Sequence, residues 1–173
     1  MPTREEFVAE VDAFLPARKT LAGIEVPGHW QPGRDNVWQR LRLPVEVGGT
    51  QEGHRALDIE FDPTSQDMVF TINLLCHACI SRLDFDATGG HTNNFLIEAD
   101  NVSMIVSGSH FHRWAYNRRF ADGSRRLITL NNAEAIPQTI HSFDSALRWF
   151  CDETNIELPH GHWIYCHRGR WYE

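Results

Sequence analysis

Lysine is nearly absent from this 173-residue chain: Lys19 stands alone beside 15 arginines. Two readings fit that skew, the codon bias of a GC-rich bacterial genome and the recognition of phosphate or carboxylate by guanidinium forks. Long apolar runs are missing too. None approaches the roughly 18 to 20 residues that cross a bilayer, and the opening MPTREEF has no basic stretch followed by an apolar core. The expectation is a cytoplasmic protein with no membrane partner. Cysteine is scarce, and the four present read as reduced thiols, not as a disulfide framework. There is no internal repeat, low-complexity tract or linker, so 1–173 is read as a single domain. With 42% hydrophobic and 23% charged residues the composition is that of a folded chain and not of a disordered one.

The formal net charge of −7 opposes sequence-independent binding to nucleic acid, which depends on neutralising phosphates. The charge is unevenly spread, however. Residues 1–100 hold 16 acids against 8 basic residues, whereas 101–173 hold 7 against 8. Within the second part, RWAYNRRFADGSRR (113–126) carries five arginines against Asp122, a local basic face able to meet an anionic ligand or nucleic acid.

The pattern predicts an α+β fold, an antiparallel meander packed against an N-terminal and a C-terminal helix. A helix is expected over about 3–15, because Thr3 and Glu6 form a capping-box pair and Phe7, Val11, Phe14 and Leu15 recur at helical spacing before Pro16. A loop or arm follows over about 21–37. Short alternating segments between about 38 and 130 read as strands: 38–47, 56–61, 68–75, 80–86, 95–99, 102–106, 110–116 and 126–130. Gly48-Gly49, Asp62-Pro63, Gly89-Gly90, Asp100-Asn101 and Asp122-Gly123 supply turns. A second helix over about 143–153 is capped by Ser142 and carries the stripe Phe143, Ala146, Leu147 and Phe150. A short strand over 162–166 closes the chain.

The chemistry-bearing residues concentrate between Leu83 and Tyr116. On a strand, His110, His112, Trp114 and Tyr116 share one face and Phe111 and Ala115 the other. His91, beside the Gly89-Gly90 turn, can reach the same end of the sheet. Three readings follow. Neutral imidazoles from His91, His110 and His112 can hold a divalent metal, zinc first, with a position left for water. Alternatively, two of the histidines act as general acid and base on a phosphodiester, with Arg113, Arg118 or Arg119 stabilising developing charge. The third reading is binding of an anion or other ligand without chemistry, and surface histidines on a half-exposed strand remain the plain alternative. Arg82, Asn93, Arg113, Trp114, Arg118 and Arg119 are the candidate substrate-binding residues.

Several familiar arrangements do not fit. A cupin needs an acid soon after the second histidine, and RWAYNRRF has none. A two-histidine phosphoesterase needs two separated H-x-S/T motifs, a spacing that His91-Thr92 and His141-Ser142 lack. Cys76-His77-Ala78-Cys79 has C-x-x-C spacing, but Cys151 and Cys166 are too far apart to complete a usual structural zinc site, and a thioredoxin-like βαβ pattern is missing. Buried inert thiols are the simpler reading. The tail HGHWIYCHRGRWYE reads as a last strand and an exposed end, or as a contribution to the site.

The run RLDFD…GGHTNN…SGSHFHRWAY, closed by a helix ending FCDETNI, resembles an uncharacterised prokaryotic family scattered through bacterial and phage-derived islands. The matching residues are Arg82, Leu83, Asp84, His91, Asn93, His110, His112, Trp114, Ala115, Asn155 and Ile156, over roughly 68–156. Trp114-Ala115 follows His112 without the intervening loop of that pattern. The resemblance carries no established activity; it implies one shared histidine site and a mobile-element or defence setting. The functional expectation is a toxin-like or defence-associated hydrolase acting on an anionic substrate such as a nucleic acid. A non-catalytic binding or adaptor module is the alternative, to be recognised by a flat aromatic patch at Trp163, Trp171 and Tyr172. A second copy of the chain or an antitoxin-like protein would be the partner.

Overall fold

The computed structural model describes residues 3–25, 28–93, 102–122 and 130–166. Its first helix, α1 (Arg4–Phe14), begins with the expected reciprocal cap: Glu6 N donates to Thr3 Oγ1 at 3.2 Å, and Thr3 N donates to the Glu6 carboxylate at 2.6 Å. Phe7, Val11 and Phe14 are buried, and Pro16 stands just beyond the last turn. The other long helix, α3 (Phe143–Glu153), has the bounds expected of it. Ser142 caps it in exchange with Ser145, and Phe143, Ala146, Leu147 and Phe150 are all buried.

Between them lies an antiparallel sheet. Its strands are β1 (Lys19–Leu21), β2 (Gln31–Pro32), β3 (Gln39–Val47), β4 (Thr50–Phe61), β5 (Phe70–Cys76), β6 (Ala78–Phe85), β9 (His110–His112) and β10 (Glu134–Ala135). They run in the order β1-β3-β4-β5-β6-β9-β10, with β2 also paired to β3. A separate ribbon joins β7 (Gly90–Thr92) to β8 (Ile105–Ser107). The fold is α+β. The β3–β4 hairpin turns on Gly48 and Gly49, whose φ values of +58° and +76° suit residues without a Cβ.

Alternation divides the sheet into two faces. Leu41, Leu43, Leu57, Ile59, Ile72, Leu74, Leu83 and Phe111 enter one hydrophobic core with α1 and α3. The opposite face is polar, and the pairing registers align it in two rows. One runs Arg40, Glu60, Thr71, Asp84, His110; the next runs Arg42, Asp58, Asn73, Arg82, His112. Because side chains repeat with period two, the register that buries Leu83 opposite Phe111 also sets Arg82 and Asp84 beside the two histidines.

Four sequence expectations need correction. The strand expected over 110–116 stops at His112, and a short helix, α2 (Trp114–Asn117), follows. Trp114 is drawn out of the sheet because its ring packs edge-on against Phe7 of α1 at 6.0 Å and its Nε1 donates to Asp12 at 2.8 Å. No strand forms over 162–166; there the backbone follows side chains, with Ile164 in the core and Trp163 Nε1 donating to Ile24 O. The 21–37 arm holds β2 and a 3-10 turn over Arg34–Asn36. Pairing also starts at Lys19, well before residue 38. The strand expected over 95–99, and residues 126–129 of that expected over 126–130, lie outside the described residues, as do the turn residues 100, 101 and 123.

No helix among the described residues is long and apolar enough to cross a membrane. All four cysteines are free thiols, and burial pushes Cys76, Cys79 and Cys151 up to about 12. The C-x-x-C pair does not act as a unit. Across the β5–β6 hairpin, Cys79 Sγ turns to Asn73 Oδ1 and Ser81 O, whereas Cys76 Sγ turns to Glu10.

Candidate functional site

His110 and His112 leave β9 on its polar face, opposite Phe111, whose ring packs on Trp149 and Phe150 of α3. That face is not open. His110 is 6% exposed and His112 fully buried, because the β7–β8 ribbon and the 130–133 segment lie against them. The ribbon brings His91 in. Its ring centroid is 5.5 Å from that of His110 and 4.6 Å from that of His112, and the β9 pair is 5.1 Å apart. One ring nitrogen from each of the three lies within 4.8 Å of the others.

The partners of these rings fix which nitrogens carry protons. His110 Nδ1 faces Gly108 O at 2.9 Å, His112 Nδ1 faces Asn132 O at 3.1 Å, and His91 Nε2 faces Asn131 O at 2.8 Å. A carbonyl only accepts, so each of these nitrogens is the N–H donor. In the neutral rings the lone pairs are therefore left on Nε2 of His110, Nε2 of His112 and Nδ1 of His91. Imidazoles oriented by an outer carbonyl are the usual form of histidine ligands.

Two asparagines fix the 132–133 segment, which carries the carbonyl that orients His112. Asn117 accepts from Asn132 N at 2.9 Å and donates to Asn132 O at 2.8 Å; Asn93 accepts from Ala133 N and donates to Ala133 O, both at 2.7 Å. Each side-chain amide thus pairs with one residue as a neighbouring strand would. Asn93, read from sequence as a substrate contact, is buried and serves this clamp.

Asp84 completes the cluster. Its Oδ2 lies 3.4 Å from His110 Nε2 and 3.2 Å from His112 Nε2, and it accepts from Arg82 Nε at 2.7 Å. Arg82 Nη2 reaches His112 Nε2 at 3.0 Å. Burial would raise the carboxyl of Asp84, but both histidines and Arg82 outweigh it and hold the group well below the usual carboxylate range. Burial lowers His112 to about 4, with Arg82 adding to the effect. It opposes protonation of His110 as well, yet there Asp84 and the Gly108 carbonyl prevail and raise the ring above the ordinary histidine value. The two neighbouring rings are thus pushed in opposite directions, His112 toward the neutral form and His110 toward the protonated one.

This split has a stability consequence. Between about pH 6.5 and pH 4 the unfolded chain protonates His112 while the folded chain resists, so stability falls as pH falls, by about 3 kcal/mol from this group. His110 acts in the opposite sense: its contribution is complete below the unfolded pKa and is lost as pH rises through its raised value. Urea unfolding at pH 7 and pH 4.5 should show the fall, and His112→Gln should flatten it. An equal fall in that variant would assign the acid sensitivity elsewhere.

Beside the cluster is an open cleft of about 430 Å³ on the polar face, lined by His91, His110, Arg82, Asp84, Arg34 and Trp38 among others. His112 sits behind it. The Arg34 guanidinium lies 4.6 Å from the Trp38 ring centre and 3.6 Å from the Glu60 carboxylate, giving the cleft an exposed but ion-paired cation next to an aromatic face. The other sequence-nominated arginines lie elsewhere. Arg113 pairs with Glu134 and Glu153, Arg118 with Asp12, and the Arg119 guanidinium stacks over Phe120. Neither they nor Trp114 line the cleft. Trp171 and Tyr172, expected in an aromatic patch, lie outside the described residues.

Asp84, Arg34, Trp38 and Asn117 were missed by sequence reasoning as site residues. Asp84 had a signal, since strand period two places it with Arg82 on the polar side. Comparison with protein-family models, with curated proteins and with solved structures returns no match, so the functional reading rests on this geometry.

Proposed function

We propose that His91, His110 and His112 bind one divalent metal ion, zinc first, at the inner wall of the cleft, and that the chain hydrolyses an anionic ester such as a phosphodiester. The observation that supports this is the grouping of the three rings: each turns one nitrogen to a backbone carbonyl, one nitrogen from each lies within 4.8 Å of the others, and Nε2 of His110 and of His112 both face Asp84 Oδ2. Three nitrogen ligands leave a fourth position for water, whose acidity a bound zinc raises. Asp84, held ionised, is placed to accept a hydrogen bond from that water and orient it. Arg82, which holds the His112 lone pair in the metal-free arrangement, would yield it to the ion and turn its guanidinium toward the cleft. With Arg34 it then supplies charge for an anionic substrate, and Trp38 supplies a face for a base or other flat group. Replacing one cation by another keeps the Asp84 carboxylate neutralised throughout.

A metal-free reading is favoured by one feature, the position of Asp84 between His110 and His112, which suits a proton-donating and a proton-accepting imidazole. The two readings separate by chelation. Tag-free protein should cleave a panel of RNA, DNA and a chromogenic phosphodiester, lose activity after chelator and dialysis, and regain it with zinc or manganese. Activity that persists without metal would favour the acid–base reading, and no hydrolysis under any condition would leave a binding module. The toxin or defence setting implied by the resemblance adds a cellular test, in which induced expression slows growth and His110→Gln relieves it.

A further inference from the structure

A second group of metal-ligating side chains lies outside this site, where the β5–β6 hairpin meets α1. Glu10 projects from α1, His54 from β4, Cys76 from the end of β5, and His77 from the hairpin itself; one donor atom from each lies within 4.8 Å of the other three. Three elements of secondary structure and the β5–β6 turn converge there, and neither the proposed hydrolysis nor the cleft uses any of the four residues.

The donors gather around Glu10 at hydrogen-bond distance, slightly inside the edges of a zinc coordination shell. Glu10 Oε1 is 3.0 Å from His54 Nε2 and 3.6 Å from Cys76 Sγ, and Glu10 Oε2 is 3.1 Å from His77 Nε2. A tetrahedron with metal–nitrogen bonds of about 2.0 to 2.1 Å and a metal–sulfur bond of about 2.3 Å has edges of roughly 3.3 to 3.6 Å. The two imidazoles are stacked, with centroids 3.5 Å apart and planes 7° from parallel, and both Nε2 atoms face the same carboxylate; to ligate one ion, one ring must turn out of the stack so that both in-plane lone pairs meet it. His77 takes φ +61°, a left-handed value that histidine, like asparagine and aspartate, adopts more readily than other non-glycine residues, and its N donates to His54 O at 3.0 Å. That conformation turns its ring back over α1 instead of along the sheet.

We infer that Glu10, His54, Cys76 and His77 form a second, structural metal site that takes Zn²⁺ and ties α1 to the sheet. Mixed nitrogen, sulfur and oxygen donors suit zinc better than the all-oxygen shells of calcium or magnesium. The charges also balance. A thiolate and the Glu10 carboxylate neutralise a dication; Arg55 and Glu52 pair with each other at 3.0 Å but also reach the ligands, Arg55 to Glu10 Oε1 at 3.3 Å and Glu52 to His54 Nε2 at 3.1 Å, contacts that the ion would replace. Four protein ligands leave no position for substrate, which separates this site in kind from the three-histidine cluster.

Sulfur among the ligands provides the test. Tag-free, full-length protein is titrated with Co²⁺ under reducing conditions and followed by absorbance and native mass spectrometry. The wild type is expected to develop the near-ultraviolet thiolate-to-cobalt charge-transfer band, displaced by added Zn²⁺. Cys76→Ser should lose the band, and His77→Gln, which keeps the thiol, should weaken Co²⁺ binding at least tenfold. Replacing His110 and His112 by Gln should leave the band intact, whatever becomes of metal at the cleft. No band in the wild type, or one that survives in Cys76→Ser, would overturn the assignment; if Cys76→Ser does not fold, an unweakened band in His77→Gln and in Glu10→Gln would do so.

Discussion

Replacing Lys19 by methionine is expected to cost about 3 to 5 kcal/mol, the range for removing one partner of a buried charged interaction. The lone lysine is fully buried. Its Nζ donates to Leu15 O and Ala17 O, both at 2.7 Å, and to Thr154 O at 2.9 Å. These carbonyls follow the ends of α1 and α3, where helices leave acceptors without intrahelical partners and carry the negative end of the dipole. One ammonium therefore joins both helix ends, with its charge 4.8 Å from the centre of the Phe14 ring. Burial, with Arg55 second, lowers its pKa to about 8, which still leaves it charged at pH 7. Methionine preserves the volume but strands three carbonyls. The neighbouring Arg18→Met is the control: its ion pair with Glu157 is exposed, with the arginine side chain 76% accessible, and should contribute little. Urea unfolding of both variants measures the contrast, and a Lys19→Met cost below about 1 kcal/mol, the scale of a surface change, would reject this role.

Phe150→Ala is expected to cost a similar 3 to 5 kcal/mol, roughly the range for a large aromatic removed from a core. Phe150 is fully buried on α3, and its ring meets Phe111 edge-on at 5.7 Å. Phe111 lies between His110 and His112, so the cavity would open directly behind the histidine strand. The loss of stability should therefore come with weaker metal binding at the cleft. The comparison is Phe143→Ala, whose ring packs on Phe70 of β5, farther along the sheet. It should lose stability with less effect on the metal. Equal loss of metal affinity in both would indicate general loosening instead of support at Phe111.

What was legible in the sequence was what depends on near neighbours. Thr3 with Glu6, Ser142 with the α3 stripe and the Gly48-Gly49 turn each act over a few residues, and their effects are fully local. The histidine face followed from strand period two, and it set His110 and His112 opposite Phe111. Period two also misled. Trp114 and Tyr116 continue the alternation, but Trp114 finds Phe7 and Asp12 about a hundred residues away in sequence, and that contact bends the chain into α2. The carbonyls that orient the rings could not be read because any residue type supplies one. Glu10, His54, Cys76 and His77 escaped for a related reason: α1 and β4 bring them together across 44 to 67 positions, with no spacing to mark the set. The five arginines of 113–126 drew attention by density, yet Arg113 and Arg118 are neutralised by acids from distant elements. Arg34 and Arg82, solitary in sequence, are the ones on the cleft.

The most direct measurement is nitrogen-15 NMR of the imidazole rings, with and without one equivalent of Zn²⁺, in a Cys76→Ser background that removes the second site's sulfur ligand. In the metal-free protein His91 should show the Nε2–H tautomer and neutral His110 and His112 the Nδ1–H tautomer, with His110 taking up its second proton at a higher pH than His112. On adding zinc, Nδ1 of His91 and Nε2 of His110 and His112 should move together to metal-bound shifts, with the opposite nitrogens still protonated. Zinc that leaves those three nitrogens unmoved, or free rings with the reverse tautomers, would contradict the metal-binding histidine site.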